Sequence, residues 1–223
     1  MPKQINKKFL TYLLFFILFG SLNNKNLNEI ELPKIKEINI LGFEKENRNQ
    51  LLKNLEFLKL QNIFFLQKKE IEEILKKNDL IDKYYIFKKY PATLEVKIDQ
   101  TKFLAYLLKD GKYFFVGSNG KLIKSTKELK KKPMIFGNFK LNEFFKLKDA
   151  LDKSNFDYDQ IDKLYSFPSG RWDIKLRSGK LLKLSNVNFQ NSLELLSLIL
   201  KDPKFQNVQI IDVRQKNQVI TSE

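Results

Sequence analysis

The sequence predicts an α+β protein. An N-terminal transmembrane helix comes first, then a β-α-α-β-β unit, then a mainly β unit with two or more helices and an exposed C-terminal edge strand. Three observations predict this. Residues 9–22 form an unbroken apolar run between lysines. In residues 34–101, strand-like alternation brackets two segments with Leu and Ile at helical spacing. From residue 102 on, turn signals recur between short β-rich runs, with only two helical stretches among them.

The apolar run FLTYLLFFILFGSL follows Lys3, Lys7 and Lys8. Its fourteen residues would rise roughly 21 Å as a helix, against about 30 Å of bilayer hydrocarbon. A signal-peptide cleavage site would have to use Phe19 with Ser21 or Leu18 with Gly20, and neither pair is small-x-small. The expectation is an uncleaved anchor made by Phe9, Leu10, Leu13, Leu14, Phe15, Phe16, Ile17, Leu18 and Phe19. Flanking lysines and local thinning would cover the mismatch. The positive residues before the run keep residues 1–8 as a cytoplasmic tail. Residues 23–33 read as a polar linker, and all that follows would lie outside the cytoplasm.

Ile38 and Ile40 alternate with polar neighbours until Gly42, which makes a strand. Glu46 to Leu58 and Lys68 to Lys77 carry apolar residues at helical spacing. Ile81 to Lys89 is β-rich, and Leu94, Val96 and Ile98 alternate through the next strand. Pro91 cannot donate to a ladder and marks the turn between them. Asp110-Gly111 and Ser118-Asn119-Gly120 are hairpin signals, the second flanked by strands Tyr113–Val116 and Lys121–Ile123. Asn142 to Lys153 reads as a helix and Ile161 to Phe167 as a strand. Arg171–Leu176 and Lys180–Leu184 make a hairpin. Phe189 to Leu200 is an amphipathic helix stopped by Asp202-Pro203. Val208–Val213 and Gln218–Thr221 are closing strands. The Lys130–Lys132 run reads as a solvated loop.

Composition narrows the function classes. The chain of 223 residues has no His and no Cys, and 8 Gly without a phosphate-cradling motif. Thiol and imidazole catalysis, disulfides and ordinary zinc sites are excluded. A net charge of +15 invites a nucleic-acid reading. Yet the arginines are only Arg48, Arg171, Arg177 and Arg214, and the lysines are spread along the whole chain. Tyr84, Tyr85, Phe87 and Tyr90 among lysines could stack bases, but strand alternation explains them more simply. Asp157 and Asp159 could be paired acids of a glycosidase, but two acids in a turn are usually just solvated.

The segments Ile38-Asn39-Ile40-Leu41-Gly42, Asn62 to Leu66, and Lys88-Lys89-Tyr90-Pro91-Ala92-Thr93-Leu94-Glu95-Val96 resemble a POTRA domain. The ordered segments that follow resemble the FtsQ/DivIB family of bacterial cell-division proteins. They are Tyr113 to Gly120, Pro133 to Gly137, Arg171 to Leu176 with Gly179, and Ile211-Asp212-Val213-Arg214. Gln100, Phe103 and Gln215 stand where the family usually carries Glu, Pro and an aromatic residue.

The resemblance implies a division of the chain into an anchor at 9–22, a POTRA domain at 34–101 and a β domain at 102–223. It implies a single-pass protein of the inner (cytoplasmic) membrane at the midcell septum, amino terminus cytoplasmic and carboxyl terminus periplasmic. Its role would be that of a non-catalytic divisome scaffold without cofactor, metal, nucleic acid or small-molecule substrate. Its partners would be FtsB-like and FtsL-like bitopic proteins, bound by strand addition. The closing strands are the candidate edge, since Thr221-Ser222-Glu223 are too few for a further strand. Arg171, Ile211, Val213, Arg214, Gln215, Gln218, Val219 and Ile220 are the candidate partner-binding residues. Arg171 and Arg214 suit bidentate pairing with a partner's carboxylate; the alternatives are that Arg214 merely caps its strand and that Arg171 pairs within its own hairpin. The rival readings are an envelope assembly or chaperone module, whose β-barrel would not fit in the roughly 120 residues left, and a periplasmic cell-wall enzyme, for which no nucleophile or metal constellation is present.

Overall fold

The computed structural model describes residues 7–22, 33–126, 128–129, 131–215 and 218–222. The expected tail before Lys7, linker residues 23–32 and Lys130 lie outside these. The chain forms two compact units, residues 1–71 with 86–97, and residues 72–85 with 98–223.

Helix α1 (Lys7–Leu22) takes up the apolar run and extends it by two lysines. Its 16 residues rise about 24 Å. Its large apolar side chains from Phe9 to Phe19 are exposed. Among the described residues no helix is long and apolar enough to cross a membrane.

Strands β1 (Glu37–Leu41), β2 (Ile81–Lys89) and β3 (Thr93–Gln100) form a sheet of order β1-β3-β2. β1 runs parallel to β3, with Ile38 opposite Leu94 and Ile40 opposite Val96. All four are buried, as period-2 alternation requires of one covered face. The helix expected over Glu46–Leu58 is instead α2 (Lys45–Leu55) followed by a tighter turn, Glu56–Leu60. Leu51, Leu55 and Leu58 are all buried, and the last step of three residues suits 3₁₀ winding. Helix α3 spans Lys68–Lys76.

In the second unit, Asn119 does more than make a turn. Its side-chain amide donates to the carbonyls of Asp79 (2.8 Å) and Ile81 (3.0 Å). Lys121 Nζ reaches the Asp79 carboxylate at 3.0 Å. These contacts hold the Glu72–Tyr85 segment within this unit.

The body of that unit is a nine-stranded sheet. Its strands are β4 (Phe103–Lys109), β5 (Lys112–Gly117), β6 (Leu122–Ser125), β7 (Met134–Phe136), β8 (Ile161–Ser166), β9 (Trp172–Leu176), β10 (Leu181–Lys183), β11 (Ile210–Asp212) and β12 (Ile220–Ser222). The spatial order is β12-β11-β10-β9-β8-β7-β4-β5-β6. β4 and β7 carried no strand expectation: Phe103 to Leu108 is apolar without alternation, and β7 has three residues. Helix α4 (Leu141–Lys153) joins the parallel strands β7 and β8, and α5 (Phe189–Ile199) joins the parallel strands β10 and β11. Parallel neighbours need such crossovers. Both helices lie on one face. Phe144, Leu147 and Leu151 of α4 and Leu193 and Leu196 of α5 share a core with Ile135, Leu164, Ile174, Leu182 and Ile211 of the strands. Trp172 is buried within that core, its ring 5.7 Å from that of Phe139.

Candidate partner-binding edge

Side chains alternate along a strand. Ile174, Leu182 and Ile211 face the helices, so Asp173, Lys183 and Asp212 face the other side. The register sets these three in a row, Lys183 opposite Asp173 on β9 and opposite Asp212 on β11. The row continues to Ile220 on β12. Both acids are buried, Asp173 at 4% and Asp212 at 6% exposure.

A buried carboxylate needs hydrogen bonds. Asp212 obtains them from Arg214, two residues on. Arg214 Nε donates at 2.8 and 2.9 Å to the two carboxylate oxygens, and the Arg214 backbone N–H donates at 3.1 Å. Burial alone would raise the Asp212 pKa. The side-chain and backbone hydrogen bonds and the charge of Arg214 outweigh burial and hold it below the usual carboxylate range. Asp173 has a looser partner, Arg171 Nε at 3.2 Å. Burial dominates there and raises its pKa, although Arg171, Lys183 and Arg214 oppose the shift. The Arg171 guanidinium lies 3.8 Å from the Phe167 ring centroid. Arg214, just past β11, thus neutralises the last acid of that strand, while Arg171, just before β9, pairs more loosely with Asp173.

The two acids have opposite linkage to pH. The folded pKa of Asp212 lies below its unfolded value, so its stabilisation is complete above about 3.9. It is lost as pH falls through the lower folded value. Ionised Asp173 costs stability at neutral pH, and that cost fades as pH falls through its raised folded value. Asp212→Asn is therefore expected to lose about 1 kcal/mol at pH 7, a modest figure because the Arg214 end is solvated. Urea unfolding should show that loss shrinking toward pH 3, with Asp173→Asn losing less than Asp212→Asn at pH 7.

The edge lies beside this row. Ile211 and Val213 are buried, at 0% and 5% exposure, so their side chains belong to the core and not to a surface. Gln215, Gln218, Val219 and Ile220 are exposed together with Arg214. Among the described residues β12 pairs with β11 alone, antiparallel, and ends the sheet. Leu181 N–H bonds the Gln209 carbonyl, and Val213 N–H bonds the Lys183 carbonyl. Residues 209, 211 and 213 therefore turn toward β10, which leaves Ile210 and Asp212 to pair with Ser222 and Ile220. The intervening Thr221 directs its N–H and C=O away from β11. Thr221 was not among the expected binding residues. The outward turn of its backbone depends on register, which local sequence does not carry. The buried acids left a faint signal, since in Trp-Asp-Ile and Ile-Asp-Val an acid alternates with core residues.

On the same face, Tyr165, Phe167, Asp173, Lys175, Leu181 and Ile210 line a groove of about 380 Å³. Among the described residues, no group of three Asp or Glu side chains is placed to hold a metal ion. Asp157 caps a turn by accepting from the Asp159 N–H at 3.0 Å.

Comparison with known proteins adds to this geometry. Residues 34–99 match the family model "POTRA domain, FtsQ-type". Residues 105–214 match "Cell division protein FtsQ/DivIB, C-terminal". The chain is 25% identical over 194 residues to a cell division protein FtsQ of Rickettsia bellii, covering 82% of this chain and 70% of the relative. It is 32% identical over 127 residues to a cell division protein DivIB of Clostridium botulinum, covering 52% and 50%. A solved extracytoplasmic domain of DivIB from Geobacillus stearothermophilus aligns with a TM-score of 0.35 at 14% identity, covering 42% of this chain and 85% of that one.

Proposed function

The chain belongs to the FtsQ/DivIB family of bacterial cell-division proteins, and from that premise we propose that it is a non-catalytic scaffold of the divisome. It binds bitopic partners of the FtsB and FtsL kind by adding an extended partner segment to β12. α1 holds it in the inner membrane as a single-pass anchor, with Lys7 and Lys8 at the cytoplasmic side and the two units in the periplasm at the septum. At 16 residues the helix is shorter than a full span, and local thinning and lysine snorkelling would make up the difference. The POTRA domain would comprise 34–101 and the β domain 102–223.

One observation carries the reading: the sheet ends on an exposed three-residue strand whose central residue turns its backbone polar groups outward. An unpaired edge is a template for another strand. Backbone bonds supply affinity. Specificity comes from side chains around the edge, with Arg171, Arg214 and the 380 Å³ groove open to the partner's residues. Either arginine can share its guanidinium between its own acid and an incoming carboxylate.

Thr221→Pro tests the edge. Proline removes the outward N–H and leaves the pairs of Ile220 and Ser222 with β11 in place. Partner affinity is expected to fall about tenfold, equivalent to about 1.4 kcal/mol, with the melting temperature nearly unchanged. Titration of both chains with purified FtsB-like and FtsL-like partners measures this, and equal affinity would overturn strand addition at β12.

A further inference from the structure

The first unit carries a surface that strand addition leaves unused. Phe57, Leu60, Phe64 and Phe65 all stand exposed within nine residues, Leu60 at 77% and Phe65 at 75%. The neighbouring Leu58, Ile63 and Leu66 turn inward and are buried, which leaves the intervening side chains facing water. Tyr90 is exposed and stacks on Phe64 at 4.8 Å between ring centroids. Single exposed apolar residues need no explanation, but a grouped run of this kind marks an interaction surface.

Lysines surround it. Lys88 Nζ donates to the Phe64 carbonyl at 3.3 Å. Lys59 pairs with Glu56 beside Leu60, and Lys89 pairs with Glu95 beside Tyr90. Lys68 and Lys69 follow Phe65 closely and are exposed. Aromatic and leucine side chains among lysines match the polar–apolar boundary of an anionic bilayer.

The chain's path points the same way. Ile35 N–H bonds the Gln61 carbonyl at 3.0 Å, and Lys34 forms a bridge with Asn62. The segment arriving from α1 therefore enters this unit between Leu60 and Phe64. Ten residues separate Leu22 from Pro33, a reach of at most about 40 Å.

We propose that this basic-aromatic surface is a membrane contact, seating Leu60 and Phe65 among the headgroups of anionic lipids beside the anchor. The tether argument rests on α1 being that anchor; the charge and apolar pattern does not. Two reporters separate the readings, Phe65→Trp and Leu14→Trp, each in the full chain with the buried Trp172 as constant background. The chains are reconstituted in brominated vesicles of phosphatidylcholine alone or with phosphatidylglycerol. The Phe65→Trp emission is expected to shift to the blue and to be quenched, more strongly with phosphatidylglycerol. Quenching at Leu14→Trp with water-like emission at Phe65→Trp overturns the membrane contact and keeps the anchor. Quenching at Phe65→Trp alone keeps the contact and overturns the anchor. A blue shift at Phe65→Trp without quenching means burial against protein, a partner or a second copy, and overturns the proposal.

Discussion

A chain ending at Gln215 is expected to lose capture of the proposed FtsB-like and FtsL-like partners while keeping its fold. The cut removes β12, whose three described residues are all exposed. What the fold loses is the antiparallel ladder with β11, a few backbone bonds worth about 1 kcal/mol each. The freed groups of Ile210 and Asp212 become available to water. The melting temperature should drop by several degrees, as such losses do in a chain of this length. Capture should vanish, because the outward backbone of Thr221 and the flanking Gln218, Val219 and Ile220 go together. A cut after Asn207 is a poorer test. It also removes Ile211 and Val213 from the core, and the resulting loss of folding would imitate a loss of binding. Pull-down of both partners from detergent extracts, with a thermal melt of the same samples, makes the comparison. Full capture by the shortened chain would refute partner binding at this edge.

Gly137→Ala is expected to be the most damaging small substitution in the second unit. Gly137 leaves β7 at φ 93°, a conformation that costs an L-residue about 1–2 kcal/mol. A Cβ there would also lie 2.2 Å from the Ser166 carbonyl oxygen. That oxygen is backbone at the end of β8, and β8 is fixed between β7 and β9, so it has little room to retreat. Strain and displacement together should cost about 3–4 kcal/mol. Gly120→Ala provides the contrast. Its φ is also positive, at 76°, but the nearest atom is a Phe145 ring carbon at 3.9 Å, so only the backbone cost of about 1 kcal/mol applies. Urea unfolding of the two variants measures the difference, and equal losses would show that the Ser166 contact gives way freely.

Much of the fold is legible residue by residue. Ile38, Ile40, Leu94 and Val96 alternate and are buried as alternation demands. The Asn142–Lys153 and Phe189–Leu200 segments form helices within a residue or so of their expected bounds. β4 escaped notice because its apolar residues do not alternate. The candidate edge was half legible. Both closing strands form, but as Ile210–Asp212 and Ile220–Ser222 instead of Val208–Val213 and Gln218–Thr221, and Gln215, Gln218, Val219 and Ile220 are exposed. Nothing local distinguishes Ile211 from Ile220, however. The first lies in the core shared with α4 and α5, brought there by elements distant in sequence, and is 0% exposed, whereas the second stays 54% exposed.

Composition and periodicity by themselves determined the apolar first helix, the order of the elements other than β4 and β7, and the absence of imidazole and thiol chemistry. They could do so because these depend on residue type and spacing within about ten neighbours. Tertiary structure alone decided that β12 takes the last place in the sheet, that Thr221 rather than Ile220 turns its backbone outward, and that Asp173 and Asp212 are buried in one row with Lys183. Those outcomes follow from strand register and sheet order. Both are set by the packing of the whole core against α4 and α5, and a shift of one residue in either would reverse which groups face outward.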